Sequence, residues 1–304
     1  MKRTGFFKKM KRDRYLYLMI LPGIFFMILF RYLPMGGLVI AFKDFSLRKG
    51  IWGSDWAGFE NFRFIFTQNP DFYQIVKNTL VINLLKLLFA FPTPIILALM
   101  INEVRGRRLK KWIQTSVYLP YFVSWVVFGG IVIQFLSPGT GVVNRIIELF
   151  GGQSIPFLQE DQYFKGIVVL TDIWKGAGWG TIMYLSALTG IDQEIYEAAR
   201  IDGAGRLQMI WNISIPGISD TIVVLLLLQV GAMMDVGFEQ IYVLCKPILY
   251  SVGDVISTYV YRVGIGNAQF SMTAAVGLFQ SAVGLVLIIL CNRICRKFFE
   301  KSLW

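Results

Sequence analysis

Residues 194–216 read EIYEAARIDGAGRLQMIWNISIP, and this stretch decides how the rest of the chain is laid out. It is a long polar-rich interruption between two strongly apolar runs. Asp192 is placed to cap a helix start. Glu194 falls in the first turn, where a carboxylate complements the helix dipole. Ile191, Ile195, Ala198 and Ala199 recur at three- and four-residue spacing and predict one small apolar face. Gly203 and Gly205 flank Ala204 and supply a corner. Leu207, Ile210 and Trp211 begin a second amphipathic turn. Pro216 suits the first position of the following helix, where a missing N–H is no loss. The expectation is a short helix, a glycine corner, and a short helix returning to an apolar run.

The composition says what those apolar runs are. Of 304 residues, 55% are hydrophobic and only 16% charged, against about 25% charged in an ordinary soluble domain. The chain is therefore an integral membrane protein. A bilayer core of about 30 Å takes about 20 apolar helical residues per span, which leaves room for about six spans. They are expected over about 15–33, 78–101, 113–136, 166–188, 216–234 and 270–292, with Pro92 and Pro94 interrupting the second. Residues 35–42 either extend the first helix or lie at the surface. The second span holds Lys86, Pro92 and Pro94, and the third holds Gly129-Gly130, which permits close helix contact. A loop over 137–165 is expected to contain one short helix, 142–150. In domain terms, residues 1–14 form a basic tail, 15–76 the first span with an external segment, 77–295 a five-helix core with the loop at 191–215, and 296–304 a second tail.

The formal charge of +11 would suggest nucleic acid in a soluble protein. Here the basic residues cluster beside apolar runs, so they report topology and no nucleic-acid partner is expected. Segments 1–14, 101–112, 191–215 and 293–304 hold 18 Lys and Arg, whereas the opposite loops, 41–77, 137–165 and 235–269, hold nine over a greater length. The basic side is cytoplasmic, so both termini and the 191–215 loop are expected inside the cell. No small-residue cleavage pattern follows the first apolar stretch, so a removed signal peptide is not expected. The absence of His excludes imidazole metal sites, bases and proton relays. Cys245, Cys291 and Cys295 read as free thiols, and neither a metal site nor a catalytic residue is expected. No Gly-Lys dipeptide occurs, so the chain has no Walker loop of its own.

Glu197-Ala198-Ala199, followed by Gly203 and then by Ile213-Ser214-Ile215-Pro216, resembles the EAA loop in permease subunits of bacterial ABC importers. Ile215 stands where that pattern has Leu. The string YEAARIDGA resembles the carbohydrate-uptake branch, and WAGFENF at 56–62 resembles a string preceding the second helix of sugar permeases. The resemblance implies an all-α fold of the type I ABC importer permease with six transmembrane helices, in a bacterial inner membrane. It implies a second permease subunit, usually a different chain, two cytoplasmic ATPase subunits that bind ATP and Mg, and an extracytoplasmic solute-binding protein delivering an oligosaccharide. The coupling residues it marks are Glu197, Ala198, Ala199, Arg200, Asp202, Gly203, Ala204, Ile213 and Pro216. Ala198 and Ala199 would let the helix enter an ATPase cleft, Glu197 would offer an ion pair there, and Gly203 would set the angle between helices. Local pairing of Glu197 with Arg200 is an alternative role.

Polar groups within or near spans are the candidates for a translocation path. They are Asp172, Lys175, Gln229 and Asp235, with Lys86 also inside a span. Trp174, Trp179 and Tyr184 are candidates for stacking on sugar rings, against the alternative of interface anchoring and packing. A secondary transporter or channel is the rival reading, with inverted repeats or broken midplane helices as its expected marks.

Overall fold

The computed structural model describes residues 13–299, so the basic tail at 1–12 and residues 300–304 lie outside the described part. Within it the regular structure is helical, apart from one antiparallel two-stranded ribbon, β1 (Lys43–Asp44) against β2 (Asp55–Trp56), with Lys43 opposite Trp56.

Helix α1 (Arg14–Phe42) takes in the stretch at 35–42, which extends the first span. Its Arg14–Met27 portion buries no residue. A helix that is apolar all round and touches no core of its own chain is suited to lipid or to another subunit. Helix α2 (Glu60–Thr67) follows the ribbon. Here the 56–62 string builds an aromatic knot: Phe42 packs on Trp56, Phe59 and Phe62, while Asn61 Nδ2 donates to the carbonyls of Ala41 and Lys43 at 2.9 and 3.0 Å.

Helix α3 (Phe72–Asn102) runs through Pro92 and Pro94. The turn preceding Pro92 relaxes into π geometry over Lys86–Ala90, which accommodates the missing amide.

The expected third span is not one helix. Helix α4 (Arg107–Phe122) and helix α5 (Trp125–Leu136) meet at 102°. Pro120 lies in the closing 3-10 turn of α4, Val123 and Ser124 are extended, and Ser124 Oγ caps α5 by accepting from Val127 N at 3.3 Å. Pro120 and Ser124 are stop and start signals that outrank the continuous apolarity of 113–136. Gly129 makes the close contact expected of it, since a Cβ there would lie 2.5 Å from Val243 Cγ1, whereas Gly130 faces open space.

After the short helix α6 (Val142–Leu149) comes α7 (Asp161–Thr189). Its 29 residues reach about 43 Å, enough to cross a bilayer. It falls short of the apolarity met by α1, α3 and the bent helices. Twelve of its residues are buried, so protein and not lipid surrounds much of it, and polar side chains are tolerated there. At Gly178 the backbone of α4 crosses so closely that a Cβ would collide with the Val117 carbonyl.

Helix α8 (Gln193–Ile201) and helix α9 (Arg206–Gly217) form the loop, and α10 (Ser219–Gly231) leaves α9 at 60°. The fifth span is therefore bent as well. Pro216 does not start the new helix: it sits near the end of α9, and the break follows at Ile218, with Ser219 Oγ donating to the Pro216 carbonyl at 2.5 Å. Helix α11 (Phe238–Leu244), a one-turn helix Tyr250–Gly253, helix α12 (Ile256–Tyr259) with its π-helical continuation Val260–Gly266, and helix α13 (Phe270–Phe299) complete the described part.

Four apolar cores hold these pieces; the smallest, Val223, Leu227 and Cys295, joins α10 to α13. Ile82, Phe128, Val168, Ile241 and Leu244 join α3, α5, α7 and α11. Phe72, Ile75, Ile256, Tyr259 and Val276 join α3, α12 and α13. Ala98, Ile101, Tyr184, Leu188 and Ile218 join α3 and α7 to the α9–α10 break.

Candidate functional site

The α8–α9 loop forms as its residues dictate. Asp192 Oδ1 accepts from Glu194 N at 3.0 Å, capping α8, with Glu194 in the first turn and Arg200 in the last. Gly203 adopts φ +78°, and the amides of Gly203 and Ala204 return to the carbonyls of Arg200 and Ala199 at 3.1 and 2.9 Å. This is the left-handed helix stop that glycine makes cheaply. Gly205 N then donates to Gln208 Oε1 at 2.7 Å and opens α9.

Sequence reasoning missed the residue that fastens this loop. Tyr196 is the buried residue of α8, and its hydroxyl lies 2.9 Å from Ser214 Oγ on α9, itself buried. The small apolar face does not pack against the rest of the chain: Ile195 is 51% exposed and Ala198 is exposed. Spacing ranks alanines and isoleucines alike as apolar, whereas the α8–α9 angle turns Tyr196 inward. Glu197, Ala198, Arg200 and Asp202 face outward, while Ala199, Ala204 and Ile213 are half-buried. Ile201, Leu207 and Trp211 are also exposed, at 88, 72 and 68%. Glu197 and Arg200 do not form the alternative ion pair; the described salt bridges lie elsewhere.

The membrane candidates separate into four places. Asp172, Trp179, Tyr184 and Gln229 line one groove of about 340 Å³ between α3, α7 and α10. Asp172 Oδ1 accepts from Lys86 Nζ at 3.0 Å, and the same ammonium donates to the Val236 carbonyl at 2.8 Å and to Gln240 Oε1 at 2.7 Å. Lys86 is buried and Asp172 keeps 29% of its side chain exposed, so the pair is held from behind and faces the groove with the carboxylate. Trp179 stacks on Tyr121 with centroids 5.0 Å apart and planes 9° apart.

Lys175 belongs elsewhere. Its ammonium donates to the carbonyls of Tyr121 and Val123 at 2.8 and 2.7 Å, and so satisfies the backbone exposed by the α4–α5 break. It also lies 5.4 Å from the ring centres of Tyr121 and Trp125. Trp174 packs edge-on against Phe128 and lines a separate apolar cleft with Val132 and Phe135. Asp235 caps a turn by accepting from Gly237 N at 3.0 Å.

A membrane-embedded helical chain without a nucleotide loop, carrying a helix–glycine–helix elbow that presents exposed Glu197, defines a permease subunit. The family model for the binding-protein-dependent transport system inner membrane component matches residues 90–301, and the chain belongs to that family. LplB of Bacillus subtilis (strain 168) is 47% identical over 295 residues, 97% of this chain and 92% of that one. The polygalacturonan/rhamnogalacturonan transport system permease protein YteP of the same organism is 45% identical over 303 residues, 100% of this chain and 94% of that one. A crystal structure of a bacterial ABC transporter involved in the import of the acidic polysaccharide alginate aligns at a TM-score of 0.89, with 43% identity over 96% of this chain and 99% of that one. A second structure of a bacterial alginate ABC transporter, in complex with alginate pentasaccharide-bound periplasmic protein, also aligns at 0.89. The break between α4 and α5 is thus compatible with an ABC permease and does not mark a secondary transporter.

Proposed function

We propose that the chain is one of two permease subunits of an ATP-driven importer that moves an oligosaccharide handed over by an extracytoplasmic binding protein. The chain crosses the membrane six times in this reading: by α1, α3, the α4–α5 pair, α7, the α9–α10 pair and α13. Both termini and the α8–α9 loop are cytoplasmic. Residues 77–295 form the transport core.

The observation that carries the proposal is the elbow at α8–α9. Tyr196 and Ser214 anchor it on one side, while Glu197, Ile201, Leu207 and Trp211 stay uncovered on the other. In this role the elbow sits in a cleft of an ATPase subunit, which binds ATP and Mg. Nucleotide-driven closure of the ATPase pair displaces the elbow, and α9 transmits the movement into the membrane. ATP binding and hydrolysis supply the free-energy difference between inward- and outward-facing states, because a permease indifferent to nucleotide cannot shift its own equilibrium. The groove bearing Asp172, Trp179, Tyr184 and Gln229 is the sugar path, with the indole offering a ring face and the carboxylate and amide offering hydrogen bonds to hydroxyls.

Affinity purification through a tag on this chain tests the proposal. Stoichiometric recovery of two ATPase subunits and a second permease is expected, with ATP hydrolysis present in the assembly and absent from this chain alone. Sustained hydrolysis by the isolated chain rejects the proposal, and transport without any ATPase subunit rejects it in favour of the rival secondary transporter or channel.

A further inference from the structure

A second pocket, of about 410 Å³, lies in the segment between α10 and α13, outside the groove and on the other side of the bilayer from the α8–α9 elbow in the topology above. Its lining includes Tyr242, Tyr250, Asp254, Tyr261, Arg262 and Asn267. Asp254 is 3% exposed. Both of its oxygens are engaged: Thr258 Oγ1 donates to Oδ1 at 2.7 Å, and Arg262 Nη2 donates to Oδ2. The carboxylate therefore serves as a brace behind the guanidinium.

Arg262 keeps 38% of its side chain exposed. Its guanidinium lies 4.5 Å over the Tyr250 ring and 5.7 Å from that of Tyr259. Among the described residues its hydrogen bond to Asp254 uses Nη2 alone. Arg262 lines the pocket, so the N–H groups of its planar, always-charged fork that Asp254 does not use are available to a ligand there. Tyr242 and Tyr261 line the same pocket with ring centroids 5.3 Å apart, backed by Phe238 at 5.1 and 5.0 Å, and both tyrosines are well exposed. A braced guanidinium next to open tyrosine faces matches a ring that carries a carboxylate: the fork takes the charge in two parallel hydrogen bonds and the rings cover the C–H face. A neutral sugar offers only hydroxyl dipoles to the guanidinium N–H groups that Asp254 leaves unused, whereas a carboxylate makes the stronger charge-assisted pair.

We infer that this pocket is a capture site for a carboxylate-bearing sugar unit, a uronate, at the outer mouth of the transport path. The inference rests on the import reading for its biological meaning. The pocket also has a structural route to the groove. Tyr242 shares α11 with Gln240, which accepts from Lys86 Nζ, and Lys86 holds Asp172.

The test is equilibrium binding of trigalacturonate and of maltotriose to the transporter in nanodiscs, without binding protein. The parent is expected to bind trigalacturonate and to discriminate against maltotriose. Removing Arg262 alone would strand a buried carboxylate, so the pair is neutralised together. Asp254→Asn/Arg262→Gln should weaken trigalacturonate binding about tenfold or more, as loss of a charge-assisted pair requires. Tyr261→Ala, which leaves the ion pair intact, should weaken it about threefold or more through lost ring contact. Trigalacturonate bound equally by parent and double variant, maltotriose bound as well as trigalacturonate, or no binding by the parent overturns the inference. Uptake by the parent is scored separately: absence of all sugar uptake rejects the import reading, whereas the binding data decide the pocket.

Discussion

At the scale of single residues, the elbow separates what holds it from what it presents. Tyr196 and Ser214 hold it; Glu197 and Gly203 shape the exposed side. Gly203 has φ +78° with open space around its Cα. A side chain there costs about 1 kcal/mol or more of backbone strain, with no steric collision added. Gly203→Asp and Glu197→Lys are therefore expected to insert and fold, yet to lose most ATPase recovery and most uptake together. Arg107→Ala, at the start of α4, should transport close to the parental rate. Tagged membranes read both quantities, and parental uptake with full ATPase retention in the two loop variants would falsify the coupling role.

At the scale of elements, the α4–α5 joint frees backbone carbonyls, and Lys175 satisfies them. Lys175→Met keeps the length of the side chain but removes the donor, leaving the carbonyls of Tyr121 and Val123 unmet. A loss of about 1–3 kcal/mol is expected for such buried groups. It should appear as a lower midpoint of thermal unfolding of the detergent-solubilised transporter, and an unchanged midpoint counts against the capping role. Much of the element pattern is legible in the sequence. The elbow is, because Asp192, Gly203 and Gly205 are local signals. The bends are not read from hydropathy, because residues 113–136 are apolar on both sides of Pro120 and Ser124, and a window average passes over a two-residue interruption. The membrane candidates are legible only as a set of polar residues. Lys86, Gln240 and Asp172 lie far apart in sequence, and nothing local tells that one ammonium joins them, or that Lys175, three residues from Asp172, serves a different structure.

At the scale of the molecule, the basic residues and the helices suggest one arrangement in the membrane. Cysteine substitution at Gly106, in the basic connection between α3 and α4, should be shielded from an impermeant thiol reagent in intact cells. Substitution at Gln159, which is exposed just before α7, should label. The reverse pattern overturns the six-crossing topology. The uncovered Arg14–Met27 portion of α1 and the cores between α3, α7 and α11 describe a subunit with one side built and another awaiting company. This is the surface distribution expected of a chain that works inside a larger assembly.

The placement of α7 also bears on how the chain is made. A charged side chain at the centre of a helix costs about 2.5–3.5 kcal/mol on leaving the translocon for lipid, and α7 carries both Asp172 and Lys175. Lys86 precedes Asp172 by 86 residues, and the Tyr121 and Val123 carbonyls precede Lys175 by 54 and 52. Translation therefore delivers the counter-groups before the charges that require them. This helix, less apolar than α1, α3 and α13, is released beside partners already synthesised, and Val236 and Gln240 arrive afterwards to close the site around Lys86.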